Sequence, residues 1–180
     1  AIHRSRDQNS GEGTSLSSQT LGSGDGGRVA ITSKSVAMDG GAFINASTFN
    51  TGRGGDILVR VQQASLSGGA TITSHTDLAD PLAGAGGSVT VQGLQGGGSK
   101  ADALTLVGER SRINSESFGT ARLGDIAVQA KTVSLMDRAE IQAGSDRDAA
   151  DTAGNVTIDA DLVRISGGSR IASQVFAADA

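Results

Sequence analysis

From Gly24 onward the chain repeats one phrase five times: a glycine break, a short apolar segment, a second such segment, a turn of small residues, and a third segment. The copies open at Arg28, Asp56, Ser88, Asp125 and Asn155, each directly behind a glycine (Gly27, Gly55, Gly87, Gly124, Gly154) and 28, 32, 37 and 30 residues apart. A period of about thirty residues with three β segments per unit is the mark of a β-solenoid, where no unit buries its apolar face alone and stacked neighbours supply a continuous core. The repeat therefore constrains the fold far more than the function, since solenoids carry many activities.

Within each unit the first segment alternates apolar and polar residues: Val29-Ala30-Ile31, Ile57-Leu58-Val59, Val89-Thr90-Val91, Ile126-Ala127-Val128 and Val156-Thr157-Ile158. A period of two puts the β-branched residues on one face, as a half-buried strand requires. The second segment repeats this with Val36/Met38, Ala64/Leu66, Leu104/Leu106, Val133/Leu135 and Val163/Ile165. Turns such as Asp39-Gly40-Gly41 and Ser67-Gly68-Gly69 follow, then a third segment of the form Ile-x-small-x-Ser/Thr, as in Ile44-Asn45-Ala46-Ser47-Thr48 and Ile72-Thr73-Ser74-His75-Thr76. Every apolar stretch is too short for a helix, and the intervals are rich in Gly, Ser, Asn and Asp. The expected fold is all-β: a right-handed parallel β-helix with about thirty residues and three short strands per coil. At a strand spacing of about 4.8 Å, six or so coils make a rod roughly 30 Å long. Residues 14–180 form one solenoid domain in this reading; residues 1–13 match the repeat poorly and read as a lead-in.

Composition agrees. An apolar fraction of 37 % suits a narrow interior column, and 27 glycines against one proline suit a chain that turns often and keeps its ladders unbroken. With no Trp or Tyr and only four Phe, the chain lacks a stacking platform for bases, and its −4 net charge is spread without a basic stripe. Nucleic acid is thus not an expected partner, and no apolar stretch approaches the roughly 20 residues that span a bilayer. Cysteine is absent, which removes any disulfide framework. No run of signal-peptide type occurs in residues 1–27, so an export signal would lie outside this segment.

The phrase Gly55-Asp56-Ile57-Leu58-Val59 followed by Leu66-Ser67-Gly68-Gly69-Ala70-Thr71-Ile72-Thr73-Ser74-His75-Thr76 resembles the repeats of the filamentous haemagglutinin family, and Gly124-Asp125-Ile126-Ala127-Val128 with Val133-Ser134-Leu135 matches nearly as well. The resemblance covers residues 14–180. It implies a β-helical shaft of a large bacterial exoprotein, exported unfolded by two-partner secretion through an outer-membrane partner. It also implies a place outside the cell or on its surface, and adhesion to a host-cell or glycan surface. The Asn-Pro motifs of that family's secretion domain have no counterpart, since the single proline is Pro81. The chain reads as a slice of something longer.

Stacking places equivalent positions one above another, so side-chain columns follow from the alignment. One column runs Arg28, Asp56, Ser88, Asp125, Asn155; another Ser15, Phe43, Thr71, Arg112, Glu140, Arg170. Like charges are never vertical neighbours in either, as expected of solvent-facing ladders. A third, Leu21, Phe49, Asp77, Phe118, Asp146, Phe176, holds three of the four Phe and reads as a coil corner or as an apolar stripe for a ligand.

Function on a rigid solenoid is grafted onto its loops, and the excursions are residues 77–87, 93–102 and 146–154. The first and last leave the same corner two rungs apart. They carry Asp77, Asp80, Asp146, Asp148 and Asp151, with Glu116 on the rung between. This carboxylate concentration is the candidate ligand-binding site. It reads as a solvated cluster, as a calcium site built from carboxylate and carbonyl oxygens, or as the acid and base of a carbohydrate-active lyase or hydrolase, the alternative to a non-enzymatic shaft. No catalytic residue and no cofactor is assigned. His75 and its column neighbour Ser47 face outward from mid-strand, and His75 reads as surface rather than ligand. Gly52-Arg53-Gly54-Gly55-Asp56 imitates a calcium-binding nonapeptide, but the thirty-residue period does not supply the required nine.

Overall fold

The computed structural model describes residues 2–3, 14–76, 84–117, 122–144 and 152–174, which hold no helix. Their strands are β1 (Ile2–His3), β2 (Ser15–Thr20), β3 (Val29–Asp39), β4 (Phe43–Thr48), β5 (Ile57–Ser67), β6 (Thr71–Thr76), β7 (Val89–Gln92), β8 (Ala101–Val107), β9 (Arg112–Ser117), β10 (Ile126–Met136), β11 (Glu140–Gly144), β12 (Val156–Ile165) and β13 (Arg170–Gln174). One sheet runs β1-β3-β5-β7-β10-β12, with β8 lying beside β7 between β5 and β10; the other runs β13-β11-β9-β6-β4-β2. Every pairing is parallel, and the register is the one the repeat dictates. Val29, Ile57, Val89, Ile126 and Val156 stack in one sheet; Ile44, Ile72, Ile113, Ile141 and Ile171 stack in the other. The chain is a parallel β-solenoid of coils of about thirty residues.

The first two segments of a coil run on as one long strand in β3, β5, β10 and β12, and only residues 93–100 separate them, as β7 and β8. The bend between them is visible in burial. Val61 and Ala64 point inward around exposed Gln62 and Gln63, and Ala130 and Val133 do so around Lys131 and Thr132. Two successive outward residues turn the strand around a corner without ending its ladder. Ladder pairing skips one residue there, at Lys34/Gln62 and at Lys131/Asp161.

The interior is a column of stacked apolar side chains. Met38, Leu66, Leu106 and Leu135 form one file and Ile44, Ile72, Ile113 and Ile141 the opposite one, all with almost no exposure. Burying each such side chain contributes about 1.5–3 kcal/mol. In the outermost described coils the same positions have neighbours on one side only, so Val163 and Ile165 stand 43 % and 49 % exposed.

The glycine break has a steric cause. A Cβ on Gly55, Gly87, Gly124 or Gly154 would lie 2.0, 2.2, 2.1 or 2.0 Å from the carbonyl oxygen of Gly27, Gly55, Gly87 or Gly124 one coil away. Backbone packs directly on backbone along this file, and only glycine fits. The facing wall explains the small residue of the third segment: Ser74, Ser115 and Ser173 point inward and donate from Oγ to the carbonyls of Gly55, Gly87 and Gly154 at 2.8, 3.0 and 2.6 Å. Ala46 and Ala143 occupy the same file in their coils. A larger side chain there would strike the glycine backbone.

Candidate functional site

Of the six carboxylates singled out above, Asp77, Asp80, Asp146, Asp148 and Asp151 lie outside the described residues, as do Phe118 and Phe176. Glu116 lies in β9, on the outer face of the second sheet. Along a strand, residues two apart share a face, so Arg112, Asn114 and Glu116 all point outward. The two long side chains lean toward each other: Arg112 Nη1 stands 3.8 Å from Glu116 Oε1, and Asn114 is left only 2 % exposed between them. The outward file Asn45, Thr73, Asn114, Gln142 is otherwise uncharged, and all but Thr73 are buried. Asn114 Oδ1, Thr73 Oγ1 and Arg112 Nε are buried with no hydrogen-bond partner, an uncommon condition for interior polar atoms.

One file further along, Ser47, His75 and Glu116 occupy successive rungs. Ser47 Oγ lies 2.9 Å from His75 Nδ1, and the ring of Phe49 meets the His75 imidazole edge-on at 6.0 Å between centroids. Ser47 faces outward as expected, yet its side chain is fully buried, whereas His75 is half-buried. A serine, a histidine and a glutamate thus stand in line on one outer face. Ser47 Oγ also contacts Asn45 Oδ1, and the imidazole tautomer sets which partner donates between Ser47 and His75. The file is a hydrogen-bonded strut beneath Phe49.

The outward ladder of charges behind the glycine break does more than avoid repulsion. Asp56 Oδ1 accepts from the Ser88 N–H on the next coil at 2.8 Å, and Asp125 Oδ1 accepts from the Asn155 N–H at 2.8 Å. Each carboxylate is steadied by an arginine three residues earlier, Arg53 at 2.8 Å and Arg122 at 3.0 Å. Partial burial pushes the Asp56 carboxyl up. The Arg53 and Ser88 hydrogen bonds, together with the Arg53 and Arg28 charges, outweigh it and hold the group below its ordinary value. The sequence signal for these pairs is an arginine three residues before the aspartate, in Arg53-Gly54-Gly55-Asp56 and Arg122-Leu123-Gly124-Asp125.

A second charged cluster sits at the strand bend. Lys131 Nζ meets Asp102 at 2.7 Å, while Lys100 Nζ meets Asp161 at 2.7 Å and Asp159 at 2.9 Å. Hydrogen bonds to Asp161, then Asp159, raise the Lys100 pKa, and the one to Asp102 raises that of Lys131. Among the described residues no three His, Cys, Asp or Glu side chains are grouped to hold a metal ion, and no helix is long and apolar enough to cross a membrane. Compared with family models, with curated proteins and with solved structures, the chain matches none.

Proposed function

We propose that this solenoid is a shaft segment of a secreted exoprotein of the filamentous haemagglutinin type, a non-enzymatic spacer that carries a recognition element away from a bacterial surface. The observation that supports the reading most is the parallel stacking of equivalent strands, in the register of the repeat, through both sheets of the described coils. A rod in which each strand pairs with its equivalents above and below transmits load along its ladders and offers proteases few open segments. Stacking by nearest neighbours also suits export as an unfolded chain, because each emerging coil folds on the one before it. The absence of cysteine removes any need for oxidative folding on the way out. The outer-membrane secretion partner and the adhesion target belong to this proposal through the resemblance of the repeats.

The test is the native polypeptide. Its mass and terminal peptides are determined after brief protease treatment of intact cells and from the culture medium. A chain of many hundreds of residues, with further thirty-residue repeats and recovered outside the cell, is the expected result. A mature product ending near these 180 residues, or one retained inside the cell, overturns the shaft reading.

A further inference from the structure

We infer that residues 93–100 form a strap that locks together coils which do not touch through their strands, so that this part of the rod opens as one unit. In a solenoid each coil meets only its immediate neighbours, and outer coils are then free to open one at a time. The loop between β7 and β8 breaks that rule. It is closed by its own backbone, with Gly93 N–H donating to Ser99 O at 2.7 Å, Gly96 N–H to Gly93 O at 3.1 Å and Ser99 N–H to Gly96 O at 2.9 Å. Positive φ at Gly96, Gly97 and Gly98 (67°, 55° and 88°) lets it fold back against the outer face. On one side Gly96 sits over the Arg60 guanidinium of β5, where a Cβ would be 3.3 Å from Nε. On the other, Gly98 lies against Gln129 of β10, 3.7 Å from a built Cβ to Nε2. At its end Lys100 spans the whole of β10 to reach Asp159 and Asp161 of β12.

One loop therefore lies against the coil before its own and the one after it, and its last residue is ion-paired to the coil beyond. Strand β12 pairs with β10 alone among the described strands, so Lys100 is its direct tie to the coil beyond. Beside this tie, Asp102, two residues past Lys100, binds Lys131, which stands between Asp102 and Asp161 in the bend file. Five side chains of both signs on three rungs form a network, the arrangement in which surface charges couple best.

Native-state hydrogen exchange on the parent protein and on Lys100→Met reads the strap directly. In the parent, the slowest amides of β8, β10 and β12 are expected to share one opening free energy. In Lys100→Met, β12 should exchange several-fold faster than β8 while β3 and β5 keep their rates; Lys34→Met, which removes a lysine from the same bend file in the first coil, should leave β12 unchanged. In the parent, raising the salt from about 0.05 to about 0.5 M should mimic the variant, since screening shortens the reach of exposed charges. The inference is overturned if β12 already opens ahead of β8 in the parent by the variant's ratio. It is equally overturned if Lys100→Met speeds every strand alike, which would assign the residue to overall stability.

Discussion

At the residue scale the glycine file is the sharpest constraint, because it leaves no room to relax. Gly87→Ala would put a methyl group 2.2 Å from Gly55 O and 2.5 Å from Gly54 O, against backbone that is itself held in ladders. A loss of about 3 kcal/mol in denaturant unfolding is expected, at the upper end of ordinary overpacking. Gly22→Ala meets nothing within 4 Å and should be neutral or gain up to about 1 kcal/mol. Equal effects from the two would contradict the steric account. Asp56 supplies a pH test. Its carboxyl titrates lower in the fold than in the unfolded chain, so its contribution is complete above the unfolded value of about 3.9 and is lost as pH falls through the folded one. Asp56→Asn should accordingly melt with a shallower acid limb below about pH 4 than the parent. An unchanged limb would mean that its contacts with Arg53 and Ser88 contribute nothing.

At the scale of the element, most of the architecture is legible in the chain, because a β coil writes its inward positions at every second residue and its corners as glycine. Stacked Ile44, Ile72, Ile113 and Ile141 follow directly from that pattern. What escapes it depends on reach rather than register. The outward pair Lys131-Thr132 turns a strand without interrupting it, so two segments that look separate are one. The Arg112–Glu116 pair covers Asn114 because both side chains are long enough to lean across two residues, which alternation alone does not encode. Of the six candidate carboxylates only Glu116 can be placed, and it stands over a polar file. Turn chemistry shows a similar departure: Arg110 adopts φ +69° where its stacked neighbour is Gly69. Arg110→Gly should raise stability by about 0.5–1 kcal/mol, the relief of a left-handed side chain less the entropy of glycine. Leu135→Ala, in the middle of the apolar file, should cost about 2–5 kcal/mol by the same measurement.

At the scale of the molecule, stability passes along the rod from coil to coil, and the lysine network adds longer couplings at one corner. Raised lysine pKa values mean that this network stays fully charged below about pH 10.4 and is lost as pH climbs through the folded values. Exchange of β12 corrected for intrinsic rate should therefore be insensitive to pH between about 7 and 9 and sensitive to salt. The absence of like-charged vertical neighbours in the charged files also has a consequence for how such a chain lengthens. Tandem duplication of a single unit at the gene level would set Asp56 on Asp56 and Arg53 on Arg53, turning an attractive ladder into a repulsive one. A duplicated pair of units would bring its own vertical partners with it. Growth of this lineage is thus expected in blocks of two or more coils, or in single copies whose charged columns diverge soon afterwards.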